Sequence, residues 1–107
     1  MDNPEPDFSE ISEIDRLIHE PTRLMVMASL YVVASADYTF LMRQAGLTWG
    51  NLSAHLSKLE EAGYIQVEKT YRGKRPYTLV RLSDLGRTTF ENYVTRMKTI
   101  LNNLDQP

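Results

Sequence analysis

Residues 47–63 read LTWGNLSAHLSKLEEAG, and this stretch predicts a helix with its own start and stop signals. Thr48 supplies a hydroxyl for the first free amides, and Gly63 can adopt the left-handed conformation that ends a helix. The leucines recur at i, i+4 and i+7, so they predict one buried stripe: Leu52, Leu56 and Leu59.

The opposite side of this helix is small and polar, and it carries no acid until Glu60 and Glu61. Its residues are Gly50, Asn51, Ala54, Ser57 and Lys58. A helix face of this kind can approach another surface closely, and the DNA major groove is wide enough to admit a helix. An ordinary solvated helix face fits this stretch equally well. The segment that follows distinguishes between these two interpretations.

A predicted β-hairpin follows the helix. YIQVEKTY at 64–71 and YTLVRL at 77–82 are rich in β-branched and aromatic residues, which favours two strands. RGKRP at 72–76 predicts the connecting tip, because Gly and Pro break strands, and three of its five residues are cationic. A helix followed by a hairpin with a basic tip indicates the second half of a winged helix-turn-helix domain.

The segment GNLSAHLSKLEEAGYIQVEKTYRGKRPYTLVRLSDLGRTTFENY resembles the winged-helix DNA-binding regulators related to the MarR and ArsR groups. The resemblance spans roughly residues 14–104. It implies a mainly α fold with a small β-hairpin wing, about five helices and two to three strands. Trp49 departs from the pattern, because a small or acidic residue is expected at that position.

The composition is that of a single small domain. The 107 residues are 42% hydrophobic and 24% charged, with no apolar run near 18 residues and no signal peptide at the start. Cys is absent, which excludes disulfides and thiolate metal sites and fits a cytoplasmic protein. The expected layout is a flexible acidic tail at 1–11, a winged-helix DNA-binding and dimerisation domain at 12–104, and a short tail at 105–107.

The net charge of -2 hides a basic half. Residues 1–37 hold eight acids against two bases, whereas residues 38–82 hold seven bases against three acids. Residues 83–107 hold three of each. The basic part contains the predicted helix and wing, and local potential rather than net charge attracts phosphate.

Three helices are expected before residue 47. Ser12 and Asp15 resemble a capping box for a short helix that runs to about His19. A central helix, apolar nearly all round and therefore buried, is expected from Pro21 to about Ala34.

A short positioning helix is expected next. Thr39 is its predicted cap, Phe40–Ala45 its body and Gly46 its end, with Tyr38 forming a brief third strand beside the hairpin. The reading helix then spans Trp49–Ala62.

A last helix is expected from Asp84 to about Asn103, with Ser83 as its cap. Its apolar residues follow the 4-3-4-3 spacing of a helix that packs on another helix. Two interpretations stay open: this seam folds back on the first helix within one chain, or it forms a homodimer interface with that helix. The predicted dimerisation residues are Ile14, Leu17, Ile18, Phe90, Val94, Met97, Leu101 and Leu104.

The family resemblance implies a homodimer on double-stranded DNA, with two reading helices in successive major grooves and a roughly palindromic site. Asn51 then pairs with adenine, and Lys58 with guanine or phosphate. A small-molecule effector of unknown identity is a further candidate partner. The candidate DNA-binding residues are Thr48, Trp49, Gly50, Asn51, Ser53, Ala54, Ser57, Lys58, Arg72, Lys74 and Arg75.

Other classes of function find less support. His19 and His55 have no Cys partners or acid cluster, and no phosphate loop, nucleophile elbow or HExxH motif occurs, so neither catalysis nor a metal or cofactor is expected. The stronger rival is a winged helix that binds protein, with Trp49 as its aromatic anchor. DNA binding weakens steeply with salt, which separates the two.

Overall fold

Four α-helices and one antiparallel sheet make up the computed structural model, which describes residue 5 and residues 7–105. In chain order the elements are a 3-10 helix at Ser9–Glu13, α1 at Pro21–Val32, β1 at Ala36–Asp37, α2 at Tyr38–Ala45, α3 at Trp49–Glu61, β2 at Ile65–Arg72, β3 at Arg75–Leu82 and α4 at Asp84–Asn103. The strands lie in the order β1-β3-β2. This is the mainly helical fold with a hairpin wing that the sequence predicts.

The hydrophobic core lies where α1, α2, α3, α4 and the sheet meet. Its fully buried side chains come from every one of these helices except α4, together with the sheet and the segment before α1: Ile18, Val26, Met27, Leu30, Leu41, Leu52, Leu56, Leu59 and Val80. The predicted leucine stripe of α3 is therefore confirmed. No helix in the described part of the chain is both long and apolar enough to cross a membrane.

Local capping signals explain the start of α3 and of α4. The Thr48 hydroxyl accepts a hydrogen bond of 3.3 Å from the Asn51 amide, and the Ser83 hydroxyl accepts one of 2.9 Å from the Gly86 amide. Gly63 follows α3 with a φ of 80°, in the left-handed region. Both helices begin as predicted, α4 ends as predicted, and α3 ends one residue early.

The segment around α2 differs from the prediction. Asp37 rather than Thr39 caps the helix, because its carboxylate accepts a hydrogen bond of 2.8 Å from the Phe40 amide. The short third strand is Ala36–Asp37 and not Tyr38, which is already the first residue of α2. Gly46 ends α2 with a φ of 66°, as predicted.

The central helix α1 ends at Val32, two residues before its predicted end, and it is not buried on all sides. Val26, Met27 and Leu30 face the core, whereas the exposed fraction of Val32 is 83%. The prediction from its apolar composition that α1 is buried nearly all round is therefore wrong, because the rest of this chain covers only one side of the helix.

The predicted helix from Ser12 to His19 is wrong. Ser12 donates its hydroxyl to the carbonyl of Ser9 within the 3-10 helix. The Asp15 carboxylate instead accepts from the amides of Leu17 and Ile18 in a turn. The 3-10 helix crosses the predicted tail boundary at residue 11, and the tail residues 1–4, 6, 106 and 107 lie outside the described residues.

The predicted five-residue wing tip is also wrong. Arg72 pairs with Arg75 across the two strands, so only Gly73 and Lys74 form the turn. Gly73 has a φ of 64°, which suits the tight turns that join twisted antiparallel strands. The wing is consequently a fully paired hairpin up to its last two residues.

The end of α3 and the start of α4 meet backbone to backbone. The Ser83 amide donates to the carbonyl of Tyr64, and the Ser83 hydroxyl donates to the carbonyl of Gly63. A Cβ added at Gly86 would lie 1.9 Å from the Tyr64 carbonyl oxygen, so only glycine fits there. This junction fixes where α4 leaves the domain.

Gly86→Ala should destabilise the fold by about 1–3 kcal/mol or more, because the new methyl group displaces backbone rather than a flexible side chain. Gly50→Ala is the matched control, since a Cβ at Gly50 meets nothing within 4 Å. Urea unfolding followed by circular dichroism measures both variants. Equal midpoints for Gly86→Ala and the native chain would contradict the proposed steric constraint.

Candidate nucleic-acid interface

The reading face is the exposed side of α3 formed by Gly50, Asn51, Ala54, Ser57 and Lys58. Burial of the leucine stripe turns this side outward because the two sets lie on opposite sides of the helix. Thr48 at the N-cap is also exposed, whereas Ser53 is half-buried at the edge of the face. The structure thus brings the predicted residues of α3 together on one side.

The polar groups of the reading face are free to bind a ligand. Within the described residues, the side-chain amide of Asn51 makes no hydrogen bond, although its backbone amide serves the Thr48 cap. In the same part of the chain, no carboxylate lies within 4.0 Å of the Lys58 ammonium. A free amide can hydrogen-bond a base edge in two ways, and a free ammonium can contact guanine or phosphate.

A polar cluster holds α3 against α1 from behind the reading face. The Arg23 guanidinium lies 3.1 Å from Nδ1 of His55, and because guanidinium can only donate, Nδ1 is the acceptor. A carboxylate oxygen of Glu20 lies 3.6 Å from the same nitrogen. No local pattern predicted this role for Arg23, which lies 32 positions before His55.

Glu20 also caps α1, where its carboxylate accepts from the amides of Thr22 and Arg23. Burial by itself would raise the pKa of Glu20, but these hydrogen bonds and the nearby His55 and Arg23 outweigh burial and lower it. The carboxylate therefore stays ionised at neutral pH and caps α1, while the Arg23 guanidinium joins α1 to the middle of α3.

Three of the five exposed cations of the wing lie at or next to its turn, namely Arg72, Lys74 and Arg75. The Arg72 guanidinium lies 4.3 Å from the centre of the Tyr77 ring and donates to its hydroxyl at 2.8 Å. Within residues 7–105, no carboxylate lies within 4.0 Å of Lys74 or Arg75. The charge at the end of the wing is therefore uncompensated.

Farther from the tip, the charge of Arg81 is partly balanced. Its guanidinium lies 3.9 Å from Glu68 and donates to Gln66 at 2.9 Å. The cationic character of the wing is thus concentrated near the Gly73-Lys74 turn.

An aromatic cleft, formed by Tyr38, Trp49 and Tyr77, separates the reading helix from the wing. The rings of Tyr38 and Trp49 lie 5.5 Å apart with a tilt of 32°, and 59% of Trp49 stays exposed. The cleft encloses a cavity of about 230 Å³. Its lining is completed by Asp37, Thr39, Met42, Pro76 and Thr78. The sequence identified Trp49, but it could not show which aromatic residues the fold brings beside it.

The predicted dimerisation residues divide into three groups. Ile18 and Phe90 are buried within the chain itself. Leu101 and Leu104 are 54% and 65% exposed. The others pack partly against the core: Ile14, Leu17, Val94 and Met97.

The segment before α1 runs beside α4 in the same chain. His19 and the Tyr93 hydroxyl lie 2.8 Å apart, Arg96 lies 3.6 Å from Glu10, and Asn103 donates to the carbonyl of Asp7. The intrachain interpretation therefore accounts for part of the seam, but it leaves the end of the apolar stripe uncovered.

An exposed polar helix beside a basic β-hairpin is the arrangement of a winged helix-turn-helix domain. The chain belongs to the winged helix DNA-binding domain family, whose model matches residues 22–101. An uncharacterized protein of Methanocaldococcus jannaschii is 29% identical over 90 residues, which cover 84% of this chain and 98% of the relative.

Solved structures agree with this assignment. A transcriptional regulator homologue from Pyrococcus horikoshii OT3 is 28% identical with a TM-score of 0.85, covering 92% of this chain and 100% of that one. A regulator of the MarR family from Enterococcus faecalis V583, at 20% identity and a TM-score of 0.69, shares the fold over 89% of this chain and 86% of its own. The family and fold are those of DNA-binding transcriptional regulators, not of enzymes.

Proposed function

We propose that this protein is a sequence-specific transcriptional regulator that binds double-stranded DNA as a homodimer at a roughly palindromic site. The observation that carries the proposal is the exposed polar face of α3 beside a wing tip whose cations Lys74 and Arg75 have no carboxylate partner among the described residues. Such a pair of surfaces matches a major groove with its flanking phosphates. The protein acts on DNA in the cytoplasm.

Each part of the interface has a distinct chemical role. Asn51 reads adenine through two hydrogen bonds, and Lys58 contacts guanine or phosphate. Gly50 and Ala54 keep the helix surface low, so the backbone of α3 can approach the base edges. Ser53, Ser57 and Thr48 add short hydrogen bonds to bases or phosphates.

The wing contributes affinity rather than sequence information. Arg72, Lys74 and Arg75 lie at or next to the two-residue turn, where a paired hairpin can place them against phosphates or in the minor groove. Their free charges replace condensed counterions on the DNA, which favours binding at low salt.

The uncovered end of α4 supports the homodimer. Exposure rises along its apolar stripe from 6% at Phe90 to 54% at Leu101 and 65% at Leu104. One chain therefore buries Phe90 and, near the end of the helix, Ile100, but it leaves Leu101 and Leu104 in water. A second copy of α4 would cover them, and a two-fold pair would place two reading helices on two half-sites.

A winged helix that binds protein is the alternative function. The exposed indole of Trp49 favours it, because aromatic side chains anchor protein interfaces. The free cations of the wing favour DNA instead. A small-molecule effector is a further proposed partner, and the groove of about 350 Å³ between Tyr31 of α1 and Lys98 of α4 offers it space.

Replacing Lys74 and Arg75 by Ala should weaken binding to every DNA sequence. Each lost phosphate contact should flatten the slope of log affinity against log salt by roughly 0.9. Fluorescence anisotropy of labelled duplexes at several salt concentrations measures both effects. An unchanged slope would remove the wing cations from the interface, and the absence of DNA binding by the native protein at low salt would favour the protein-binding alternative.

Asn51→Ala should relax base preference at one position of each half-site. Selection of bound duplexes from a random DNA pool first defines the native site, and its two-fold symmetry tests the palindrome. The variant should then lose about 1–3 kcal/mol at its preferred base while non-specific binding stays nearly intact. An equal loss on all sequences would assign Asn51 to positioning the helix.

Leu101→Glu combined with Leu104→Glu should convert the dimer to a monomer with little loss of helix content. Both side chains are more than half exposed within one chain, so the folded monomer tolerates the charges while a dimer seam does not. Sedimentation equilibrium is the measurement, and Val32→Glu, at another exposed apolar site, is the control. A native mass of 12.3 kDa at tens of micromolar would exclude the dimer.

A further inference from the structure

The aromatic cleft faces the wing. In the proposed complex it does not face the floor of the major groove that α3 enters. Trp49 precedes Gly50 by one residue, so its side chain points about 100° around the helix from Gly50 and farther still from the middle of the reading face. The indole packs against the tilted ring of Tyr38, and the strand residues Pro76 and Tyr77 also line the cleft. Base edges read by Asn51 therefore lie to one side of the indole.

The cleft lies between two surfaces that contact DNA in the proposed complex. The reading face is on one side, and Arg72, stacked on Tyr77, is on the other. When α3 enters a major groove and the wing reaches the adjacent minor groove, one sugar-phosphate strand must pass between them. That strand is the part of the DNA nearest to Trp49.

The chemistry of the lining matches a deoxyribose better than a phosphate. The indole, two phenol rings and Met42 are largely apolar, whereas Asp37 places a carboxylate in the same lining. That carboxylate already accepts the Phe40 amide, and it would repel a phosphate that entered the cavity deeply. Thr39 and Thr78 also line the cleft, and threonine hydroxyls can donate to a phosphate.

We propose that the aromatic cleft seats the deoxyribose of one DNA strand between the two grooves, and that Trp49 anchors the reading helix on the DNA backbone by packing on that sugar. The proposal rests on the DNA-binding function proposed above. It gives Trp49 a positioning role that differs from base reading by Asn51 and from charge neutralisation by the wing.

The role has a signature that can be measured. A neutral side chain that packs on sugar releases no counterions and reads no base. Trp49→Ala should therefore weaken binding to specific and non-specific duplexes by the same factor, about tenfold for a buried aromatic anchor. The salt slope should stay that of the native protein, and Trp49→Phe should restore most of the affinity.

The native chain supplies its own probe, because Trp49 is its single tryptophan. Its emission should change on titration with the selected duplex and with an unrelated duplex of equal length. Leu85→Ala, which removes a side chain 55% exposed at the start of α4, is the matched control and should bind like the native protein. Unfolding midpoints confirm that Trp49→Ala keeps the fold.

Three results would overturn the inference. Native emission that is unchanged while anisotropy shows DNA binding would place Trp49 outside the interface and leave the proposed function intact. If Trp49→Ala weakened binding only to duplexes with thymine at one position, and replacing that thymine by uracil weakened native binding equally, Trp49 would read the thymine methyl group. Failure of the native protein to bind any duplex would remove both the inference and the proposed function.

Discussion

The close contact of Gly86 with the carbonyl of Tyr64 is the constraint on which the arrangement of the elements depends. The reading helix ends, the wing begins and ends, and α4 starts within a few residues of this point. Ser83 links the end of β3 to the segment after α3, because its amide and its hydroxyl donate to the carbonyls of Tyr64 and Gly63. The Tyr64 hydroxyl donates to the carboxylate of Asp15. Burial, together with this hydrogen bond, raises the pKa of Tyr64 to about 12. Reading helix, wing and α4 therefore leave one junction with their relative directions fixed.

Sequence alone predicted the elements that carry their own boundary signals. Thr48 and Ser83 cap their helices through hydroxyls only three residues from the amides they bind. The leucine stripe of α3 is likewise local, because helical periodicity places its members on one side whatever they pack against. Local hydrogen bonds and local periodicity thus account for most of the fold and for the reading face.

The failed predictions involve competition between local and distant partners. Asp15 looked like part of a helix cap, but a turn and the hydroxyl of Tyr64, 49 positions away, use its carboxylate. The length of the wing turn depends on strand register, which pairs Arg72 with Arg75 and cannot be read from turn residues alone. The aromatic cleft required three elements to meet, so the sequence showed an isolated Trp49 and concealed its neighbours.

The stacking of Arg72 on Tyr77 has a consequence for the entropy of association. A long cationic side chain usually loses its rotamer freedom when it docks, at a cost of about 0.5–1.5 kcal/mol for each immobilised chain. Arg72 is already ordered by a ring contact and a hydrogen bond to the same tyrosine. The wing thus presents one preorganised guanidinium beside the freer ammonium of Lys74, and most of the ordering cost of Arg72 falls on folding rather than on binding.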